Sequence, residues 1–185
     1  MSDPVLKRMT SDEFIAWAID QPTRQRYELV AGQVVAMAPE RAAHARAKGW
    51  LFRQLSDAVE RAGLPCEVYP DGMAVTVDAD TTYEPDALVR CGPPLPPDAT
   101  RVTDPIIVVE VVSPSSRARD TSLKLEEYFR LPSVRHYLVV KADNGAIIHY
   151  QRMNDGTILT RIIRDGPLDL DPPGITVTDP RLQTG

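Results

Sequence analysis

Glu110 stands inside the run PIIVVEVV at residues 105–112, where nearly every neighbour is apolar and most are β-branched. A run of that composition predicts a central strand covered on both faces. An ionised carboxylate there is costly unless a cation or hydrogen bonds compensate it. Asp86 follows Pro85 at the start of another short apolar run and could project to the same end of a sheet. Two converging carboxylates, joined by a backbone carbonyl such as that of Val111, would present the hard oxygen ligands that Mg2+ or Mn2+ prefers. An ion held in this way can activate water and stabilise charge developing on a phosphodiester.

The elements that must position these groups can be read along the chain. Thr10 or Ser11 caps a short helix through Trp17, broken at Gln21-Pro22-Thr23. Tyr27-Glu28-Leu29-Val30 and residues 33–37 flank Ala31-Gly32 and predict a β-hairpin. Over residues 40–61 Ala47, Trp50, Leu51, Leu55, Ala58 and Val59 recur at helical spacing, with Gly63 as the stop. Short β-like runs at 66–69, 73–77 and 86–91 suggest a meander, followed by an exposed proline-rich loop over 91–98. Beyond the central strand, Ser113-Pro114-Ser115-Ser116 offers caps for a helix over 117–130 ended by Leu131-Pro132. Residues 134–140 form a second apolar strand, which completes a strand-helix-strand unit with two parallel strands. A closing hairpin over 147–150 and 158–163 turns at Asn154-Asp155-Gly156. The expected whole is one α/β domain over residues 1–185, with loosely ordered tails at 1–9 and 176–185.

Composition narrows the function classes. With 185 residues, 43% hydrophobic and 25% charged, the chain can bury one real core. It shows no apolar run of the roughly 20 residues that cross a bilayer, and its charged start does not resemble a signal peptide, so a cytoplasmic protein with no membrane partner is expected. Cys66 and Cys91 form no CxxC motif and are too few for a disulfide scaffold, which predicts plain strand or core residues in a reduced compartment. The net charge of −5 argues against bulk electrostatic coating of nucleic acid. It leaves room for a metal site, which must itself concentrate carboxylates.

The order of several motifs resembles the Uma2 family of restriction endonucleases. They are Tyr-Glu-Leu-Val-Ala-Gly-Gln-Val-Val at 27–35, His44, Glu-Pro-Asp at 84–86, Glu-Val-Val-Ser-Pro-Ser-Ser at 110–116, then Asp120, Lys124, Tyr128 and the strand at 134–140. The resemblance runs from about residue 10 to 180. It implies a PD-(D/E)xK nuclease: a restriction-endonuclease-like mixed β-sheet core flanked by helices, an N-terminal β-hairpin, and a site at one sheet edge. Val112 occupies the position where the simplest form of that motif has lysine. The resemblance implies that the lysine has moved to the next helix, where Asp120, Lys124 and Tyr128 fall at i, i+4 and i+8 on one face. Lys124 would then act beside Asp86 and Glu110; the plain alternative is an exposed Asp120–Lys124 ion pair.

Other candidates carry two readings each. Glu28 matches an early acidic position of the family and would ligate metal or orient water, or else is a solvent-facing strand residue. His44 would touch phosphate or hold Glu28, or else is a helix cap or core hydrogen-bonder. Arg41, Arg46, Lys48 and Arg53 make the long helix locally basic, as a phosphate track or as a solvated face. Ser113, Asp120 and Tyr128 complete the residues that could meet substrate. Ser113-Pro114-Ser115-Ser116 has no glycine elbow, and neither His136 nor His149 has a link to it in sequence, so capping explains it better than a serine nucleophile. The expected function is Mg2+- or Mn2+-dependent hydrolysis of DNA, with a homodimer as the simplest route to cutting both strands. The rivals are a catalytically degenerate fold that binds DNA or protein, and a hydrolase of small phosphate esters.

Overall fold

The computed structural model describes residues 8–22, 25–112 and 118–178, with side chains in the last segment from residue 122 onward. In chain order the elements are α1 (Ser11–Ile19), β1 (Tyr27–Val30), β2 (Gln33–Ala36), α2 (Ala42–Ala62), β3 (Cys66–Pro70), β4 (Ala74–Thr76), β5 (Thr82–Tyr83) and β6 (Ala87–Cys91). There follow β7 (Arg101–Val102), β8 (Ile107–Val112), α3 (Ala118–Tyr128), β9 (His136–Lys141), β10 (Ile147–Arg152), β11 (Ile158–Ile163), β12 (Leu168–Leu170) and β13 (Ile175–Val177).

The local chemistry explains most boundaries. Thr10 caps α1, accepting from the Glu13 N–H while the Glu13 carboxylate accepts from the Thr10 N–H. Between β1 and β2 the chain turns on Ala31 and Gly32 with φ of 47° and 77°, as a two-residue hairpin of right-handed twist requires. The long helix α2 stops at Gly63, whose φ of 62° suits an achiral residue. The stretch 113–117 expected to cap α3 lies outside the described residues.

A six-stranded sheet runs in the order β11-β10-β9-β8-β6-β3, with β8 and β9 parallel and α3 crossing between them. A five-stranded sheet runs β2-β1-β5-β4-β7, and β12 pairs with β13. The expected meander is therefore corrected. β3 and β6 pair directly, whereas the chain between them leaves through the turn at Asp71-Gly72 and lends β4 and β5 to the smaller sheet. Alternation along β8 divides the core into two layers. Ile107, Val109 and Val111 face Leu51, Leu55 and Ala58 of α2, while Val108 faces Tyr128 of α3, Tyr137 of β9 and Val75 of the smaller sheet. Burying each large side chain of this kind stabilises the fold by ~2 kcal/mol.

Two further expectations are corrected. Residues 176–178 are not a loose tail: Ile175 and Val177 are each 2% exposed in β13, within the layer that α2 covers. Residues 1–7 and 179–185 lie outside the description, and Met9 donates from its N–H to the Gly32 carbonyl at 2.9 Å. Cys66 and Cys91 are paired in a disulfide, because the β3–β6 register sets them opposite each other. Among the described residues, no helix is long and apolar enough to cross a membrane.

Candidate active site

Strand register is what brings the two expected carboxylates together. β6 and β8 pair antiparallel with Ala87 opposite Val109, and one step further the same register sets Asp86 beside Glu110. The Asp86 N–H donates to the Val109 carbonyl at 3.0 Å, and the Val111 N–H donates to Asp86 Oδ2 at 2.7 Å. Asp86 is thus buried and fixed by the backbone of the strand that carries Glu110. Glu110 lies on the same face as Val108, the face that α3 covers.

α3 supplies the ammonium. Lys124 Nζ donates to Glu110 Oε1 at 3.0 Å and to Glu28 Oε1 at 2.7 Å, and lies 4.8 Å from the centre of the Tyr83 ring. One turn on, the Tyr128 hydroxyl donates to the same Glu110 oxygen at 2.9 Å. The hairpin delivers Glu28, whose Oε1 also accepts from the Glu84 N–H at 3.2 Å. Burial pushes the Glu110 carboxyl above the ordinary carboxylate range; Lys124 pulls it down, and the charges of Asp86 and Glu28 push it further up. Burial alone would lower the Lys124 ammonium, but Glu110 and Glu28 overcome it and hold it raised. Glu28 is therefore no solvent-facing strand residue, and Lys124 is no exposed helical ion pair, with side-chain exposures of 12% and 16%.

A second group of charges meets Asp86 from the opposite side. His44 and Lys48 are one turn apart on α2, and Glu40, just ahead of the helix, precedes His44 by the same four residues. His44 Nε2 lies 3.2 Å from Asp86 Oδ2, a contact that raises the imidazole above its ordinary value. Lys48 Nζ is 3.5 Å from Asp86 Oδ1, 2.6 Å from Asp71 Oδ2, and in contact with Glu40. Arg26 bridges Glu84 at 2.7 Å and Asp71 at 2.5 Å.

These positions revise several expected roles. His44 holds Asp86 and not Glu28. Lys48 is buried in ion pairs and cannot belong to a solvent-facing phosphate track, whereas Arg41, Arg46 and Arg53 are exposed. Tyr128 is fully buried and fixes Glu110, so it is not placed to meet substrate directly. Ser113 and the side chain of Asp120 lie outside the described residues. Arg26, Glu40, Asp71, Glu84 and Tyr83 were not singled out as site residues, although Glu40, His44 and Lys48 repeat every fourth residue. Tyr137 was also missed: its hydroxyl is fully buried without a hydrogen-bond partner among the described residues. Burial first, then the nearby charge of Glu110, raises that hydroxyl well above its ordinary value.

The charges do not balance. Among the described residues, Glu28, Glu40, Asp71, Glu84, Asp86 and Glu110 are joined through ion pairs to three lysine and arginine side chains, Arg26, Lys48 and Lys124. With every carboxylate ionised and His44 neutral, three negative charges remain among these described groups, of which Asp86, Glu28 and Glu110 are the least exposed. The donors are hard oxygens, and a lysine ammonium already sits against each end of the cluster. The chemistry of this set fits a divalent cation.

A family model described as "Putative restriction endonuclease", Uma2, matches residues 11–178. Two relatives come from Synechocystis sp. (strain ATCC 27184 / PCC 6803 / Kazusa). The uncharacterized protein slr1290 is 27% identical over 150 residues, covering 80% of this chain and 77% of the relative. The uncharacterized protein sll1609 is 24% identical over 152 residues, covering 80% and 84%. Among solved structures, one described as a "putative nuclease belonging to DUF820" from Anabaena variabilis ATCC 29413 superposes with a TM-score of 0.68 at 15% identity. It covers 89% of this chain and 90% of its own.

Proposed function

The chain belongs to the Uma2 family, and from that membership and the convergence of Asp86, Glu110 and Lys124 we propose that it is a divalent-cation-dependent endonuclease hydrolysing phosphodiester bonds in DNA. The observation that carries the reading is the β6–β8 register, which sets Asp86 beside Glu110 with the Lys124 ammonium 3.0 Å from the latter. Asp86, Glu110 and the backbone carbonyl of Val111 would hold Mg2+ or Mn2+. Such an ion supplies Lewis acidity and favours deprotonation of water near neutral pH.

The chain's own residues account for the remaining demands. Lys124 is placed to orient the attacking water and to neutralise charge growing on the scissile phosphate, in a site where desolvation strengthens the interaction. Glu28 shares the Lys124 ammonium with Glu110, so it positions that group and can accept a proton from water. Tyr128 restricts the Glu110 carboxylate to one orientation. Exposed Arg46 and Arg53 on α2 would meet phosphates flanking the cut, making the contact local despite the net charge of −5. Cutting both strands is simplest with two such sites in a homodimer.

The test is nicking of supercoiled plasmid with Mg2+ or Mn2+ by the intact protein and by Asp86→Asn, Glu110→Gln and Lys124→Met. Nicking that falls at least a hundredfold in all three is expected. Nicking that survives in all three would place the chemistry elsewhere, and inactivity of the intact protein across metals and substrates would favour the binding-only rival.

A further inference from the structure

We propose that β11 is a self-association surface, on which a second copy of this chain adds its own β11 antiparallel about Thr160 and joins two six-stranded sheets into one. The inference takes from the nuclease reading only the expectation of a homodimer, and it uses none of Asp86, Glu110 and Lys124.

The outer edge of β11 is open. β11 ends the six-stranded sheet, and among the described strands only β10 pairs with it. Beside the turn the Met153 N–H donates to the Thr157 carbonyl at 2.9 Å, and bonded and unbonded pairs alternate along an antiparallel ladder. Leu159, Arg161 and Ile163 are therefore the residues that bond to β10, opposite Gln151, His149 and Ile147. The other side of β10 agrees in phase: Arg152 donates from its N–H to the Arg135 carbonyl, just ahead of β9, and so away from Ile158. The N–H and C=O groups of Ile158, Thr160 and Ile162 consequently point out of the sheet edge.

The side chains make this edge unlike a solvated one. Ile158, Leu159 and Ile162 are 40%, 41% and 65% exposed, and Met153 at the turn is exposed as well. Sheet edges are ordinarily blunted by proline, lysine, a bulge or a very short strand. β11 runs Ile-Leu-Thr-Arg-Ile-Ile in unbroken register, with neither proline nor lysine. At the opposite edge of the same sheet, β3 closes on Pro70 and is half-buried.

What fits this edge is the same edge, turned by a two-fold axis normal to the sheet. With Thr160 on the axis, Ile158, Thr160 and Ile162 meet Ile162, Thr160 and Ile158 of the second copy, giving about six backbone hydrogen bonds. Ile158 then stands opposite Ile162 at both ends of one face. On the other face Leu159 meets the stem of Arg161, whose guanidinium is turned back onto Gln151. Neighbouring registers are poorer. Sliding one pair towards Ile163 sets Arg161 against Arg161, and sliding the other way sets Ile162 against Gly156, beyond the end of the strand. The chain's net charge of −5 opposes association in bulk, but β11 carries no acidic residue to oppose it at the edge.

An edge about 20 Å long and about 10 Å thick is small against the ~800 Å² per partner of a standard interface. The dimer is therefore concentration-dependent and not obligate. About seven strand spacings of ~4.8 Å separate the two β8 strands, which sets the two Glu110 positions about 34 Å apart across the joined sheet, at its opposite ends. Pairing covers neither.

The experiment is sedimentation velocity of the full chain, without metal or DNA, from low-micromolar to near-millimolar concentration. The intact protein is expected to pass from monomer to dimer across that range. Thr160→Pro deletes the central outward N–H while leaving the bonds to β10, and Ile162→Lys sets a charge against Ile158. Each should weaken the dimer about tenfold or more, as the loss of one or two hydrogen bonds or an apolar pair implies, with unchanged circular dichroism. Thr160→Cys, on the axis, should give a disulfide-linked dimer with oxidised glutathione, because bonded pairs set Cα atoms ~5.5 Å apart, within disulfide reach. Thr157→Cys, away from the axis, should not. A protein that stays monomeric throughout, a dimer that survives both Thr160→Pro and Ile162→Lys, or a Thr160→Cys chain that does not cross-link would overturn the surface. Sedimentation and cross-linking are read without cleavage, so a chain that cuts nothing can still pass them, and one that nicks plasmid can still fail them.

Discussion

Replacing Lys124 with methionine should destabilise the metal-free protein by about 3 kcal/mol at pH 8, the lower end of the cost of breaking a buried ion pair. Lys124 lies 2.7 Å from Glu28 and 3.0 Å from Glu110, and side-chain exposures of 12–16% leave only partial relief from water. Methionine keeps most of the stem's packing, so the loss is chiefly electrostatic. The two carboxylates would then face each other unneutralised. The cheapest response is protonation of Glu110, which is already raised above its ordinary range. A carboxyl raised in the folded state favours folding where it is protonated, and that contribution is lost as pH rises through the folded value. The deficit of Lys124→Met should therefore shrink at pH 6 and grow at pH 8. Adding Glu110→Gln removes the repulsion, so the double variant should recover about 2 kcal/mol of the loss, a coupling within the range for residues in direct contact. Urea unfolding at both pH values in the presence of EDTA measures all four members of the cycle. A single-variant cost below ~1 kcal/mol, or no recovery in the double variant, would refute the view that Lys124 neutralises this pair.

Other outcomes follow from separate parts of the molecule. Tyr128→Phe keeps the buried ring but deletes the 2.9 Å hydrogen bond to Glu110, so it should cost about 1.5–3 kcal/mol in urea unfolding; an unchanged midpoint would show that the hydroxyl does not hold the carboxylate. His136 and His149 are fully buried 2.8 Å apart, and desolvation lowers them to about 4 and about 3. Below pH 6.5 the unfolded chain binds protons that the folded one refuses, so stability should fall as pH drops from 6.5 towards 4. Thermal melting of His149→Leu across that interval should show a shallower decline, and an equal slope would count against the pair as the cause. The Cys66–Cys91 disulfide closes a sequence separation of 25 residues. Reduction, or Cys91→Ser, should therefore cost ~3 kcal/mol by loop entropy, and a melting temperature insensitive to reductant would contradict this.

The parts of the fold legible in sequence were those whose signal is local. The apolar run at 105–112 and the helical spacing of Leu51, Leu55 and Val59 need only one element each to be recognised. The hairpin at Ala31-Gly32 is written in the turn itself. What escaped depends on partners distant in sequence. β5 and β7 are two-residue strands, too short to show alternation, and exist because β4 pairs with both. The disulfide follows from the β3–β6 register and not from cysteine spacing. β12 and β13 do alternate, with Leu168 and Leu170 flanking Asp169 and Ile175 and Val177 flanking Thr176, but each is only three residues long, too short for the pattern to stand out beside a tail expected from residue 176. At the site, Lys48 looked like one charge of a solvated basic face. Its burial depends on Asp71 and Asp86 coming from two other segments, which no window along α2 contains.

The position of the lysine also has a structural reason. Glu110 and Val112 alternate with Val111, so both point to the face that α3 covers, and Val112 packs into that layer with Tyr128 and Tyr137. A lysine at 112 would reach the carboxylate along the strand but would remove an apolar side chain from beneath the crossover helix. The β8–α3–β9 connection lays α3 over the same face, and Lys124 and Tyr128, one turn apart, both descend on Glu110. On the proposed nuclease reading, a lysine on the helix therefore reaches the same carboxylate that one at position 112 would, while position 112 is left for packing. The tyrosine then holds the carboxylate from the same helix, so one rigid element sets both the charge and the orientation of Glu110.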